Sequence, residues 1–277
     1  MKYRCPVCQK HALVKETGGF SCDAGHRFDR SRYGYVNLLL AHQRRSKNPG
    51  DAAAMLAARR SFLSTGHYAP LAQALAGAIA TDWLPSACLL DVGCGEGYYL
   101  SALERADVGI KADQLWGIDI AKAAVQMAAQ RDTARSLAVA AARVLPFFDN
   151  SFDVVLSVFS PFDLDEVERV LKPSGQFVVV GPGPQHLQEL KAMIYAEVQP
   201  HAANFAKLEA MRVWEMASQR QILSEAFLQD DALAALFQMT PYYWRATAQQ
   251  QDDIESVRQA VVTLDFDLRT YRLGDLP

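Results

Sequence analysis

The spacing of apolar positions changes several times along the chain, and each change marks a region. The first 30 residues show little periodicity. They hold three cysteines, the pair Gly18-Gly19 and scattered apolar residues, which predicts a small loop-and-hairpin unit held by a metal in place of its own core. From Ala52 to Phe62 and from Leu71 to Ile79 the spacing is helical and rich in Ala and Leu, broken between Gly66 and Pro70. A basic connector separates the two regions: Gln43-Arg44-Arg45-Ser46-Lys47-Asn48-Pro49-Gly50-Asp51, where Pro49 and Gly50 break helix and Asp51 is a candidate cap.

Beyond residue 85, short apolar runs alternate with helical stretches. Cys88 to Val92, Gln114 to Asp119, Leu137 to Ala141, Phe152 to Phe159 and Gly175 to Val180 read as strands; Tyr99 to Arg105, Ala121 to Arg131, Leu164 to Leu171 and His186 to Val198 read as helices. That order predicts a parallel sheet covered on both faces. The alternation lapses over about residues 199–238, which read as an insertion of mixed structure. Thr240 to Ala246 and Ala260 to Leu273 alternate apolar and polar residues and predict an antiparallel pair finishing the sheet. The expected fold is α/β and Rossmann-like with a mixed seven-stranded sheet, preceded by a small metal-binding domain. The expected divisions are 1–42, a connector and helix at 43–60, and 61–277.

Half of the 277 residues are hydrophobic, ample for a sizeable core. No run reaches the roughly 18 apolar residues of a transmembrane helix, and Met1 to Lys10 lacks the order of a signal peptide, so the cytoplasm is the expected location and no membrane partner is expected. The net charge of −3 hides a strong asymmetry. Residues 1–60 carry 12 Lys or Arg against four acids, an excess of eight positive charges that leaves −11 for the remainder. Such segregation points to a polyanion, nucleic acid foremost, at the N-terminal part.

Cys5-Pro-Val-Cys8 and Cys22-Asp-Ala-Gly-His26 give the series C-x2-C-x13-C-x3-H. Two close pairs can each clasp one side of a tetrahedral zinc, and four protein ligands leave no open position, so the metal is expected to fold the module and take no part in chemistry. His11 is a competing fourth ligand without a partner at clasp spacing. Cys88 and Cys94, the other two of five cysteines, suit packing roles.

The chemistry of the larger region centres on Asp91-Val-Gly93-Cys94-Gly95-Glu96-Gly97-Tyr98-Tyr99, which runs from a buried strand through a glycine loop into a helix. The series is D-x-G-x-G-x-G. Tyr98 stands where the dinucleotide fingerprint has its third glycine, and Glu96 would repel a pyrophosphate, which argues against a dehydrogenase. Carboxylates at Asp91 and Glu96 suit a cofactor with an amino group and a sulfonium, while Asp119, followed by Ile120 at the end of the second strand, is placed to accept bonds from ribose hydroxyls. Asp91 and Asp119 have an alternative role as helix caps. The combination resembles the first motif and acidic second strand of class I S-adenosylmethionine-dependent methyltransferases.

A closer resemblance covers nearly the whole chain. The cysteine pairs with Phe20, Phe28 and Asp29, then Gly34-Tyr35-Val36-Asn37-Leu38-Leu39, Pro49-Gly50-Asp51, Ala58-Arg59-Arg60, Phe62-Leu63, Gly66-His67-Tyr68, the glycine loop, Gly183-Pro-x-His186-Leu187 and Gln238-Met239-Thr240-Pro241 together resemble the RlmA family of 23S rRNA guanine-N1 methyltransferases. The resemblance implies zinc on Cys5, Cys8, Cys22 and His26. It implies S-adenosylmethionine contacts from Tyr68, from the Gly93 to Leu100 loop including Tyr99, and from His186. It also implies a homodimer whose zinc domain meets RNA and whose target is guanosine 745 in the domain II hairpin loop, a sister branch modifying a nearby guanosine. Where the family has Ala-Pro-Cys after the fourth strand, this chain has Ser160-Pro161-Phe162-Asp163.

Guanine N1 carries a proton that some acceptor must take. Asp163 is the first candidate, with a helix cap as its alternative role; Asp165 and His186 are weaker candidates. Phe159, Phe162, Phe147 and Trp244 are candidates for stacking the target base, and Tyr35 for contacting RNA. Two other function classes compete: a small-molecule methyltransferase, which would fail to bind RNA, and a non-catalytic RNA-binding protein, which would fail to bind the cofactor.

Overall fold

The computed structural model describes residues 2–44, 46, 49–194, 205–211 and 213–274. In chain order the strands are β1 (Val14–Glu16), β2 (Gly19–Ser21), β3 (Arg27–Asp29), β4 (Val36–Asn37), β5 (Leu89–Val92), β6 (Leu115–Asp119), β7 (Ser136–Val139), β8 (Phe152–Val158), β9 (Leu171–Pro182), β10 (Trp214–Gln229) and β11 (Gln259–Leu273). The helices are α1 (Ala53–Ser64), α2 (Ala69–Ala80), α3 (Tyr98–Arg105), α4 (Lys122–Arg131), α5 (Leu164–Val170), α6 (Gln188–Ile194), α7 (Ala206–Ala210), α8 (Asp230–Gln238), α9 (Pro241–Arg245) and α10 (Ala248–Glu255).

Strands β1, β2 and β3 form a small antiparallel sheet, and the other eight form one large sheet in the order β10-β11-β9-β8-β5-β6-β7-β4. From β9 to β4 all neighbours are parallel, and β11 and β10 run antiparallel at the other edge. The α/β class and mixed sheet stand as expected, but the sheet has eight strands where seven were predicted. The extra strand is β4, from the N-terminal region, whose Val36 and Asn37 pair with Ala138 and Val139 of β7. Two residues are too short a run to show a period.

The closing antiparallel pair is real at β11 and misplaced at its partner. Thr240 to Ala246, expected as a strand, is the short helix α9, started by Pro241 in the first turn, where its missing N–H costs nothing. The true partner is β10, which occupies the stretch expected as an insertion. As an edge strand it exposes most of its side chains, and burial alternates only in its second half, where Ile222, Ala226 and Leu228 turn inward. The part of that stretch before Phe205 and the end of the helix expected at 186–198 lie outside the described residues, as do Arg45 and Lys47 of the connector. Asp51 caps nothing: Ala52 precedes α1, and the Asp51 carboxylate pairs with Arg59.

Alternate residues of the central strands enter two cores on opposite faces of the sheet. Leu89, Leu115, Leu156 and Val178 pack against α2, α3 and α4. Leu90, Trp116, Val155 and Phe177 pack on the other face against α5 and against the N-terminal module, through Tyr3, Cys5, Leu13 and Cys22. The Tyr3 ring meets Trp116 edge-on at 5.1 Å and lies 5.5 Å from Phe147, and the Arg4 N–H donates to Pro146 O. The module is therefore one cover of the sheet as well as a metal site. No helix among the described residues is long and apolar enough to cross a membrane.

Candidate metal centre and cofactor cleft

The loops around β1, β2 and β3 bring together the Sγ atoms of Cys5, Cys8 and Cys22 and a ring nitrogen of His26, all within 4.8 Å of one another. His26 Nδ1 stands 3.6 Å from Cys5 Sγ and 3.3 Å from Cys22 Sγ. These separations suit the edges of a tetrahedron around zinc, about 3.3–3.8 Å for bond lengths near 2.0–2.3 Å. The N–H groups of Lys10 and His11 point at the Cys8 sulfur and pull its thiol down to about 6, favouring the thiolate that binds metal. The donor set fits structural zinc. His11 stays outside the cluster, facing Asp23 across 3.7 Å at the surface.

The glycine loop lies at the carboxyl edge of the large sheet, between β5 and α3. Gly93 and Cys94 both donate N–H bonds to Ile118 O of β6, at 2.8 and 2.9 Å, which folds the loop over the neighbouring strand. Asp119 holds it from the other side, accepting from Gly95 N at 2.9 Å and from Ala121 N at 2.8 Å. Ribose hydroxyls would use the lone pairs those bonds leave. Gly95 has φ +55°, and a methyl group placed on it would meet nothing within 4 Å, so the loop opens there onto free space.

Beside that opening the chain buries two carboxylates at 1% exposure. Asp91 Oδ2 and Glu96 Oε1 have no hydrogen-bond partner among the described residues. Burial pushes the Asp91 carboxyl up to about 8, with the Asp119 carboxylate adding to the shift. Burial also raises Glu96, although Arg131 of α4 donates to its Oε2 at 2.6 Å. Orphaned acceptors of this kind fit a ligand that brings donors, such as an ammonium group and hydroxyls, and oppose a pyrophosphate. Glu96 is thus half committed to Arg131, a partner the sequence pattern did not reveal.

The remaining expected residues divide. Tyr68 is buried against Phe62 and Phe266, at 5.4 and 4.8 Å, and burial drives the hydroxyls of Tyr68 and Tyr99 well up from their ordinary value. Leu100 is fully buried beneath the loop, and Ile120 touches Gly50 of the connector, where an added Cβ would come within 3.1 Å of its side chain. His186 packs against Phe159 and Phe266, with ring centroids 5.7 and 5.1 Å away, and its Nδ1 accepts from Asp265 N at 3.2 Å. Asp265, buried on β11, also accepts from Gln185 N and Gln221 Nε2, at 2.9 and 2.8 Å, and so fixes the Gly183 to His186 turn. Sequence reasoning missed it, because an Asp inside an alternating strand reads as an outward position.

Asp163 is the cap of α5: its Oδ1 accepts from Glu166 N at 3.2 Å. Tyr35 and Phe147 are buried in the core. Cys94 is buried, and its thiol is raised well above the ordinary value by that burial, which suits packing.

The comparisons with known proteins agree with this arrangement. The family described as RlmA, N-terminal, matches residues 3–47, and the methyltransferase domain family matches residues 90–179. The 23S rRNA (guanine(748)-N(1))-methyltransferase of Streptomyces fradiae is 35% identical over 247 residues, covering 87% of this chain and 85% of that protein. The chain belongs to the 23S rRNA (guanine-N1)-methyltransferase family. A Bacillus subtilis member provisionally given the same activity is 31% identical over 280 residues, covering 96% of this chain and 95% of its own. Among solved structures, the complex of the Haloferax volcanii Trm112 methyltransferase activator with its methyltransferase contains a chain that matches with TM-score 0.51 and 22% identity, over 80% of this chain and 95% of that one, which shows the fold alone. As in the family, the methyl donor is S-adenosylmethionine and the N-terminal metal is structural zinc.

Asp91 also ties stability to pH. Its folded carboxyl keeps its proton up to about 8, whereas in the unfolded chain it ionises near ~4. Its contribution is fully present below ~pH 4 and is lost as pH rises towards 8. In thermal melts without cofactor, Asp91→Asn should match the natural protein at pH 4 and exceed it at pH 8 by on the order of 2–5 kcal/mol. Equal stability at pH 8 would mean that the buried carboxylate is ionised and partnered.

Proposed function

We propose that the protein transfers a methyl group from S-adenosylmethionine to N1 of a guanosine in the domain II hairpin loop of 23S rRNA, with guanosine 745 as the target. The observation that carries N1 methylation of a 23S rRNA guanosine is kinship over 87% of the chain with an enzyme named for guanosine 748; the choice of 745 rests on the resemblance of the sequence motifs. In this reading residues 1–42 bind the hairpin, the connector at 43–60 adds phosphate contacts, and residues 61–277 carry the cofactor cleft. Lys2, Lys10, Lys15, Arg27 and Arg30 make no ion pair among the described residues, which leaves them available to phosphates. The protein acts as a homodimer in the cytoplasm.

When bound, the cofactor would supply an activated methyl group on a sulfonium whose thioether leaving group needs no acid. The protein's task is positioning. The orphaned oxygens of Asp91 and Glu96 accept from the amino acid portion, Asp119 and Ile120 border the ribose and base, and Gly93, Gly95, Tyr99 and Leu100 shape the floor. Tyr68 and His186 form the opposite wall. His186 acts as a wall, held in place by the bond its Nδ1 accepts from Asp265 N–H. Asp163, whose Oδ1 serves α5, is the candidate that takes the N1 proton through its other oxygen.

The test is methyl transfer from labelled S-adenosylmethionine to 23S rRNA lacking its native modifications, with the labelled nucleoside mapped by mass spectrometry. The expected product is 1-methylguanosine at position 745. Label at position 748 would place the chain in the sister branch, and an inert rRNA with intact cofactor binding would favour a small-molecule acceptor.

A further inference from the structure

We propose that Phe159 is the platform on which the target guanine stacks, presented by a strained turn that also sets its position against the cofactor loop. The inference rests on the reading of the acceptor as an RNA base. Phe159 follows β8 directly, yet its backbone adopts φ +53°, a conformation that a bulky aromatic residue takes only where its surroundings impose it. Here they do. The Phe159 N–H donates to Val180 O of β9 at 3.0 Å, and the Ser157 hydroxyl donates to Ser160 O at 3.1 Å, tying the turn to both adjacent strand ends.

The strain has a visible consequence. Every residue of β8 from Val154 to Val158 is buried, and the next side chain is 43% exposed. One side of the Phe159 ring lies against His186, with centroids 5.7 Å apart and planes 26° from parallel, and Phe266 supports it at 5.9 Å. The rest of the ring faces solvent at the carboxyl edge of the sheet. The following residue, Ser160, sits so close to Gly93 that a Cβ on Gly93 would overlap its hydroxyl. The turn and the glycine loop are therefore in fixed register, and a planar base laid on Phe159 comes to rest beside the loop that holds the methyl donor.

Two of the other candidate rings are packed away, and the third, the exposed Trp244, belongs to α9 and is held there by Tyr243 at 5.1 Å, whereas the turn after Phe159 abuts Gly93. Phe147 is enclosed by Tyr3, Trp116 and Phe152, Phe162 packs on Phe177 at 5.0 Å, and Trp244 donates its indole N–H to Gln238 O. A guanine drawn out of the hairpin loop exchanges its stacking neighbours for a protein ring, and Phe159 is the ring placed to receive it.

The test compares Phe159→Leu and Phe159→Tyr in the full-length zinc-loaded protein, measuring kcat/KM on a domain II hairpin RNA and cofactor affinity by calorimetry. With a base stacked on the ring, leucine should lower kcat/KM by roughly ten- to a hundredfold, leave cofactor affinity unchanged, and be outperformed by tyrosine, which should stay within about threefold of the natural protein because it keeps the π-face. Leucine at full activity, tyrosine no better than leucine, or a matching loss of cofactor affinity would each overturn the proposal. A natural protein inert on the RNA would remove the rRNA reading and this inference with it.

Discussion

Replacing Cys22 with serine should abolish rRNA methylation and destabilise the whole protein, well beyond the module that contains it. The module has few apolar residues of its own, so its fold depends on metal–ligand bonds, which in small zinc units are worth on the order of 10 kcal/mol. Losing one thiolate leaves three ligands and a site open to water. The damage then spreads because Tyr3, Cys5, Leu13 and Cys22 pack on the sheet face that holds Leu90, Trp116 and Phe177. Unfolding the module would expose Trp116 and Phe147, each an aromatic side chain whose burial is worth about 2–3 kcal/mol. β4 would also lose the adjoining bridge from Arg30 to Val36.

Zinc analysis, thermal melts, cofactor calorimetry and rRNA methylation read these effects separately. Cys22→Ser should bind little zinc, melt at a lower temperature, and lose methylation by more than about a hundredfold, since the basic surface that meets phosphate goes with the module. Cofactor affinity should fall by less, because the glycine loop is held by bonds to Ile118 O and Asp119 of β6 and not by the module. A variant that methylates rRNA normally without zinc would show that the packing against Trp116 is sufficient to fold the module.

How far the fold could be read from sequence follows from where burial imposes a period. β5, β6, β8 and β9 are buried on both faces, and their apolar runs stand out between helical stretches. β10 is at the edge with water on much of its surface, so its 16 residues carry no comparable signal. α9 misled for a different reason: Tyr242, Tyr243 and Trp244 are residue types common in strands, and the position of the proline in the first turn decides for helix. At the site, residues fixed by covalent spacing were legible: the zinc set and the D-x-G-x-G-x-G loop each lie within a short segment. Partners brought in from distant segments were not. Arg131 meets Glu96 from 35 positions away, and Asp265 meets the Gly183 to His186 turn from about 80. The choice among Phe147, Phe159, Phe162 and Trp244 likewise depends on burial and on one backbone angle.

Gly93→Ala should be the most damaging single change in the methyltransferase region. Gly93 has φ +80°, where alanine is strained by roughly 1–2 kcal/mol. A second cost comes from Ser160, whose hydroxyl and Cβ occupy the space the new methyl group needs; rotating the hydroxyl away leaves the Cβ overlap, so the 159–161 turn must shift, at about 1–3 kcal/mol. Together these predict a loss of roughly 2–5 kcal/mol, or about thirty- to several-thousandfold in kcat/KM where the cost falls on the productive geometry. Gly95→Ala makes the contrast. It too needs a positive φ, but its Cβ would point into open space, so the protein without cofactor should lose only the roughly 1–2 kcal/mol of backbone strain while cofactor affinity drops. Adding Ser160→Gly to Gly93→Ala removes the overlap and leaves the backbone strain, so it should restore part of the lost stability and activity. No recovery in the double variant would mean that the positive φ at Gly93 accounts for the whole effect, and that the turn carrying Phe159 and the cofactor loop adjust independently.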